Sequence, residues 1–201
     1  MIPVSMGQIC RPRRDGCRDP NQKAWRQLVK TVMYIKGSRD LATLMPMASR
    51  LDTIEAFPYG DWACDDLDRK SASGGYLMVG GCRLHSHSRT TGQHALSSGE
   101  SEIMSMSEVL KEAKLMQYNL EFCGMGLLPI VLHPDADVAK AFCHKRSVGR
   151  MKHPDVRHCW LQEELEKENL KVKRVDRKLN ESDMLTHSPC KEYISHTGKF
   201  Y

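Results

Sequence analysis

What the sequence lacks narrows its class before any motif is considered. No apolar run approaches the roughly 20 residues that a membrane-spanning helix needs. The N-terminus, MIPVSMGQICRPRRDG, has no apolar stretch of the kind that marks a secretory signal. Eight cysteines, at 10, 17, 64, 82, 123, 143, 159 and 190, form no C-x-x-C pair. They are expected as reduced thiols and not as a disulfide framework. An intracellular chain, cytoplasmic or nuclear and not associated with a membrane, follows as the expectation. His144, His153, His158 and Cys159 lie near Cys143, but their spacing matches no zinc pattern. No internal repeat or low-complexity tract is present. Excess charge is small as well: a net +5 over 201 residues leans only weakly toward a polyanionic partner.

What is present suffices for a core. Hydrophobic residues make up 40% of the chain, enough for a core, and 201 residues fit one ordinary domain with an appendage or two small domains. The stretch that organises the rest is ALSSGESEIMSMSEVLKEAKLMQYNL, Ala95 to Leu120. Ser97 and Glu100 have the S-x-x-E spacing of a capping box, and Gly99 eases the turn between them. Apolar residues then recur at Met106, Val109, Leu110, Ala113, Met116 and Leu120, one face of a 3.6-residue period. Glu102, four residues before Met106, falls on that same core-facing stripe. A carboxylate there is costly unless it is paired, binds a cation or complements the positive end of the helix.

Around this helix the chain reads as helix, then β-β-β-α-β-α-α-β-α. Pro20 to Lys36 is an amphipathic helix through Trp25, Leu28, Val29, Val32 and Met33, capped by Asn21 or Asp19. Strands are expected at Thr53–Tyr59, Tyr76–Val79 and Cys82–Arg89, with Gly80-Gly81 as a hairpin turn and DDLDRKSASGG as a glycine-ended loop. Leu127 to Leu132 is a continuous apolar run, as for a strand buried on both faces. A short helix over Asp137–His144, a basic loop over 145–153, a helix from Pro154 to about Glu168, a strand at Leu170–Val175 and a last helix near Glu181 complete the pattern. The expected fold is α/β: a five-stranded mixed sheet, three antiparallel strands then helix-linked ones, with helices on both faces.

Four acids take positions where such sheets collect ligands, at strand carboxyl ends and helix N-termini. Asp61 ends or follows the first strand, Glu102 opens the long helix, Asp135 follows the fourth strand and Asp183 starts the last helix. If they converge, mutual repulsion demands divalent cations. An all-carboxylate set favours magnesium or manganese over zinc. Two such ions about 4 Å apart can activate water and stabilise a leaving oxygen in phosphodiester cleavage. Singly, each acid is more simply a helix cap or a surface charge, and the case rests on their joint placement.

Five blocks carry a resemblance. WACDDLDRKSASGGY, ALSSGESE, HPDADVAKAF, MKHPDVRH and ESDMLTHS resemble, in this order, the ribonuclease H domain of copia-type retrotransposon Pol polyproteins, from about Tyr59 to Pro189. PNQKAWRQLVKTVMYIKGS resembles the last helix of the reverse transcriptase region that precedes it. The resemblance implies residues 1–50 as a reverse transcriptase remnant, 51–190 as the ribonuclease H-like domain and 191–201 as a tail. It implies hydrolysis of the RNA strand of RNA–DNA hybrids, two Mg²⁺ or Mn²⁺ ions, and catalytic, metal-holding Asp61, Glu102, Asp135 and Asp183. A reverse transcriptase or other Pol-derived chain is the further partner. The first aspartate has two alignments. Either two residues are missing and Asp61 is the ligand, or the alignment is ungapped and Tyr59 stands in its place. His87, His94 and His187 also depart from the family pattern, where tryptophan, valine and lysine are usual. The alternative to an enzyme is therefore a degenerate or co-opted remnant with the same fold, binding nucleic acid weakly or inert.

Candidate nucleic-acid contacts are Arg69, Lys70, Ser71 and Ser73 in the first block, and Lys152, His153 and Arg157 at the basic loop and the helix after it. Asp65, Asp66 and Asp68 lack EF-hand spacing and read as a solvated turn. Asp137 reads as a helix cap. Ser97, Ser98 and His94 lack any nucleophile-elbow pattern.

Overall fold

A computed structural model describes residues 22–37, 39, 45, 51–62, 71–92, 94–134, 156–166 and 170–173. Contacts divide the chain into two units, Met45–Thr186 and Met1–Leu44 with His187–Tyr201. In the latter, helix α1 spans Gln22–Gly37. Its Trp25, Leu28, Val29, Val32 and Met33 are exposed, while Thr31 is buried. The expected caps Asn21 and Asp19 lie outside the described residues.

The larger unit is built on strands β1 (Ile54–Asp61), β2 (Ala72–Val79), β3 (Cys82–Thr90), β4 (Ile130–Leu132) and β5 (Leu170–Val172), with helices α2 (Ser98–Phe122) and α3 (Val156–Glu166). The sheet order is β3-β2-β1-β4-β5. β1–β2 and β2–β3 are antiparallel, whereas β1–β4 and β4–β5 are parallel. The expected mixed five-stranded sheet is therefore present. The helices expected at Asp137–His144 and near Glu181 lie outside the described residues. Both described helices of this unit, α2 and α3, pack on one face.

Local chemistry explains the elements. Gly80 and Gly81, at φ 57° and 78°, make the two-residue turn whose twist suits a hairpin. The cap forms with its return bond displaced by one residue: the Glu100 amide donates to Ser97 Oγ at 3.2 Å, and Glu100 Oε2 accepts from the amide of Leu96, just before the cap, at 2.7 Å. At the other end the Met125 amide donates to the Leu120 carbonyl and closes the last turn. Between these ends Ile103, Met106, Val109, Leu110 and Ala113 are buried against Ile54, Ala56, Leu77, Val79, Ile130 and Leu132. Leu161 of α3 and Leu170 of β5 join the same cluster. Lys114 of α2 pairs with the buried Glu164 of α3 at 2.5 Å.

Two elements differ from the sequence reading. β2 begins at Ala72, so the loop ends four residues early and Gly74 and Gly75 are strand residues. Glycine lowers strand propensity, but a Cβ at Gly75 would stand 2.2 Å from Val109 Cγ2, so packing of α2 overrides propensity. β4 is only three residues long, although its apolar run covers six. Its pairing with β1 starts where the Ile54 amide donates to the Pro129 carbonyl, and the His133 amide donates to the Ala56 carbonyl. The next donor toward β4 in that register would be residue 58, which is proline and has no N–H. That position therefore gives β4 no amide, and β4 ends as a strand at Leu132.

On the face opposite α2 a stack crosses the sheet. His133 lies on Phe57 at 4.5 Å between ring centres, Phe57 on Tyr76 at 4.5 Å, and the Arg83 guanidinium on Tyr76 at 4.7 Å. Such offset contacts each add about 0.5–1.5 kcal/mol beyond area burial.

Candidate active site

The carboxyl ends of β1 and β4 lie where the sheet changes from antiparallel to parallel, the place at which open α/β sheets collect ligands. Three pieces of chain meet there. β1 ends in Tyr59-Gly60-Asp61, β4 runs out through His133-Pro134 toward Asp135, and α2 presents its first turn.

Gly60 decides how close the helix comes. A Cβ at this position would lie 2.6 Å from the Ser101 carbonyl oxygen, 2.8 Å from its carbon and 3.0 Å from its Oγ. Only glycine permits that approach. The next residue is Glu102, which is 8% exposed, with Oε2 shut off from solvent. The carboxylate is thus held one turn into a helix seated on the end of β1. Two residues after Gly60, the Trp62 indole Nε1 donates to the Ala95 carbonyl at 2.9 Å and ties β1 to the segment just before the cap.

Asp61 is the last residue of β1, paired with Ala72. Its backbone therefore lies between Gly60 and Trp62, beside the start of α2; its side chain lies outside the described residues. Asp135 and Asp183 lie outside them altogether. Tyr59, paired with Gly74, is buried. The β1–β2 ladder runs without a shift from Ile54 to Asp61, and Tyr59 lies on the sheet face opposite Gly60.

His133 flanks this place on the β4 side. Its Nε2 is 3.6 Å from Glu55 Oε1. Burial holds its pKa below the ordinary histidine value, with Glu55 opposing that shift.

Of the expected nucleic-acid contacts, Ser71 and Ser73 are corrected. They are 0% and 2% exposed, because β2 starts earlier than read and draws both into the sheet. The Ser71 carbonyl accepts from both the amide and the hydroxyl of Thr91. Neither serine side chain offers itself to a phosphate in this arrangement. Arg69, Lys70, Lys152 and His153 lie outside the described residues, as does the side chain of Arg157, whose backbone is in α3. The Cys143 and histidine group falls outside them too. Cys82 and Cys123 are free thiols. Among the described residues no group of three or more His, Cys, Asp or Glu is arranged to hold a metal ion, and no helix is long and apolar enough to cross a membrane.

Sequence reasoning passed over Gly60, Trp62 and Pro58. The only available signal was the dense Y-G-D-W ending of a strand that also holds a proline.

No family model matches the sequence. The retrovirus-related Pol polyprotein from transposon TNT 1-94 of Nicotiana tabacum is 26% identical over 170 residues, which cover 84% of this chain and 13% of that polyprotein. The chain thus corresponds to a small part of its relative. Among solved structures, LC11-RNase H1, isolated from compost by a metagenomic approach, superposes with a TM-score of 0.51 at 16% identity, over 73% of this chain and 99% of that one. The N-terminal RNase H domain of a Mycobacterium tuberculosis protein, solved as a fusion with maltose-binding protein, gives 0.50 at 13% identity, over 74% and 97%. At such identities these two show the fold. Similarity in sequence to a retrotransposon Pol polyprotein and a ribonuclease H-like fold thus meet in the same stretch of chain.

Proposed function

We propose that this domain is a metal-dependent endonuclease that hydrolyses the RNA strand of RNA–DNA hybrids. The observation that carries the reading is Glu102: a carboxylate at a helix start, desolvated and seated on the end of β1. Burying an acid at that point has a cost that core packing does not require, because the helix is already anchored by Met106, Val109 and Leu110. A site that needs a carboxylate accounts for it.

The donor chemistry fits a hard divalent cation. Asp61, Glu102, Asp135 and Asp183 would hold two Mg²⁺ or Mn²⁺ ions through oxygen alone. Bound there, the metal would lower the pKa of an attacking water and polarise the scissile phosphodiester. The chain itself contributes the desolvated Glu102 carboxylate and the carboxyl ends of β1 and β4. Arg69, Lys70, Lys152, His153 and Arg157 are the residues we assign to the phosphate backbone. Hybrid recognition would be by A-like shape and 2′-hydroxyls.

The test is cleavage of an RNA–DNA hybrid in magnesium by the chain and by its Glu102→Gln variant. Loss of cleavage in the variant supports the reading, and equal background from both ends it. A second reading rests on Tyr59, which is one residue from the Gly60 seat and is the ungapped counterpart of the first ligand. In that case the domain is a remnant without nuclease activity, and Tyr59→Asp gains the cleavage that the parent lacks.

A further inference from the structure

We infer that Gly60 and Trp62 are positioning residues that clamp the first turn of α2 onto the end of β1 and so fix the distance between Asp61 and Glu102. The inference rests on the nuclease reading for its purpose but not for its geometry.

Two contacts of different kinds flank Asp61. On one side, Gly60 meets the backbone of Ser101 at separations that a methyl group would violate. The neighbour there is a carbonyl within a helix, not the movable tip of a side chain, so it cannot yield locally. On the other side, Trp62 donates to the Ala95 carbonyl. Ala95 precedes the Ser97 cap by two residues, so the indole holds the entry to the helix while Gly60 holds its first turn. Trp62 is about half exposed and contributes little to the core, so burial of the ring is not what places it. The capping box between these two points makes the segment from Ala95 to Ser101 stiff. The Asp61 backbone and the Glu102 backbone are consequently parts of one rigid corner. A ligand shared between two carboxylates is sensitive to their separation by fractions of an ångström, and groups that orient metal ligands matter about tenfold or more for affinity.

The test uses the full chain and three variants: Trp62→Phe, which keeps the ring and deletes the donor, Gly60→Ala, and Gly92→Ala as a control. A Cβ at Gly92 meets nothing within 4 Å. The first readout is amide hydrogen exchange at Ser101 and Glu102 without metal. Trp62→Phe should speed it by about fivefold, the effect of losing one hydrogen bond that closes the segment. The second is the Mn²⁺ concentration that gives half of the maximal rise in melting temperature. It should increase about tenfold in Trp62→Phe and more in Gly60→Ala, and stay unchanged in Gly92→Ala. A merely structural tryptophan would lower the metal-free melting temperature and leave that midpoint in place, which would overturn the inference. Unchanged exchange in Trp62→Phe would overturn it as well. Glu102→Gln separates the two ideas: if it titrates with Mn²⁺ like the parent, the metal-site reading falls, and the exchange result alone then decides whether the clamp exists. Should Gly60→Ala fail to fold, Trp62→Phe carries both readouts.

Discussion

The two ends of α2 are built on opposite rules. At its start polar side chains are buried: Ser101, Glu102 and Ser105 all face the sheet. Toward its end apolar side chains are exposed, with Leu115 and Tyr118 more than half open and Phe122 94% exposed. Hydrophobic burial accounts for neither end, only for the middle, where Met106, Val109 and Leu110 are fully enclosed. The first turn is held by a cap, a close backbone approach and an indole hydrogen bond instead. A turn stabilised by geometry can carry a carboxylate that a turn stabilised by burial would exclude.

The comparison can be broken from the middle outward. The largest loss is expected from Leu110→Ala, which empties the anchored segment and should destabilise the unit by about 2–5 kcal/mol in denaturant melts. A result below 1 kcal/mol would mean that the middle of α2 is not the anchor.

Next comes pH. His87 of β3 packs near Val109 through the gap that Gly75 leaves, and neither ring nitrogen has a hydrogen-bond partner among the described residues. Burial first, then the charges of Arg89 and His85, push its pKa down from 6.5 to about 4, against the opposing Glu112 and Glu108. Arg89 donates to Glu112 at 2.8 Å, so much of that opposing charge is already engaged. The unfolded chain therefore binds a proton between those two values that the folded chain refuses. Stability contributed by neutral His87 is complete above pH 6.5 and lost as pH falls toward 4, by about 3 kcal/mol in all. His87→Leu should flatten that portion of the stability–pH curve. An unchanged slope would show that another group titrates there.

The smallest effects separate the two ends themselves. Ser97→Ala removes the cap and should lower stability by about 1 kcal/mol. Phe122→Ser, at an exposed position, should stay within about 0.5 kcal/mol. Equal losses from the two would erase the contrast.

Some of this was legible in the sequence and some was not. The capping box at Ser97 and Glu100, the buried stripe from Met106 to Ala113 and the hairpin at Gly80-Gly81 are consequences of local periodicity and turn chemistry, so spacing alone revealed them. Glu102 on the buried stripe follows from the same 3.6-residue arithmetic. The start of β2 was not legible, because Ser73-Gly74-Gly75 has loop composition, and only cross-strand pairing and the Val109 contact make it strand. The burial of Ser71 and Ser73 was hidden for the same reason.

By itself the sequence determined the element order, the amphipathic core helix and the resemblance of five ordered blocks to a ribonuclease H domain, because these depend on residues near one another along the chain. Only the tertiary structure decided that Pro58 falls at a donor position facing β4, that Gly60 seats α2 on the strand end and that Trp62 reaches Ala95. Those facts depend on which distant backbone comes within 3 Å of which, and no one-dimensional pattern encodes that distance.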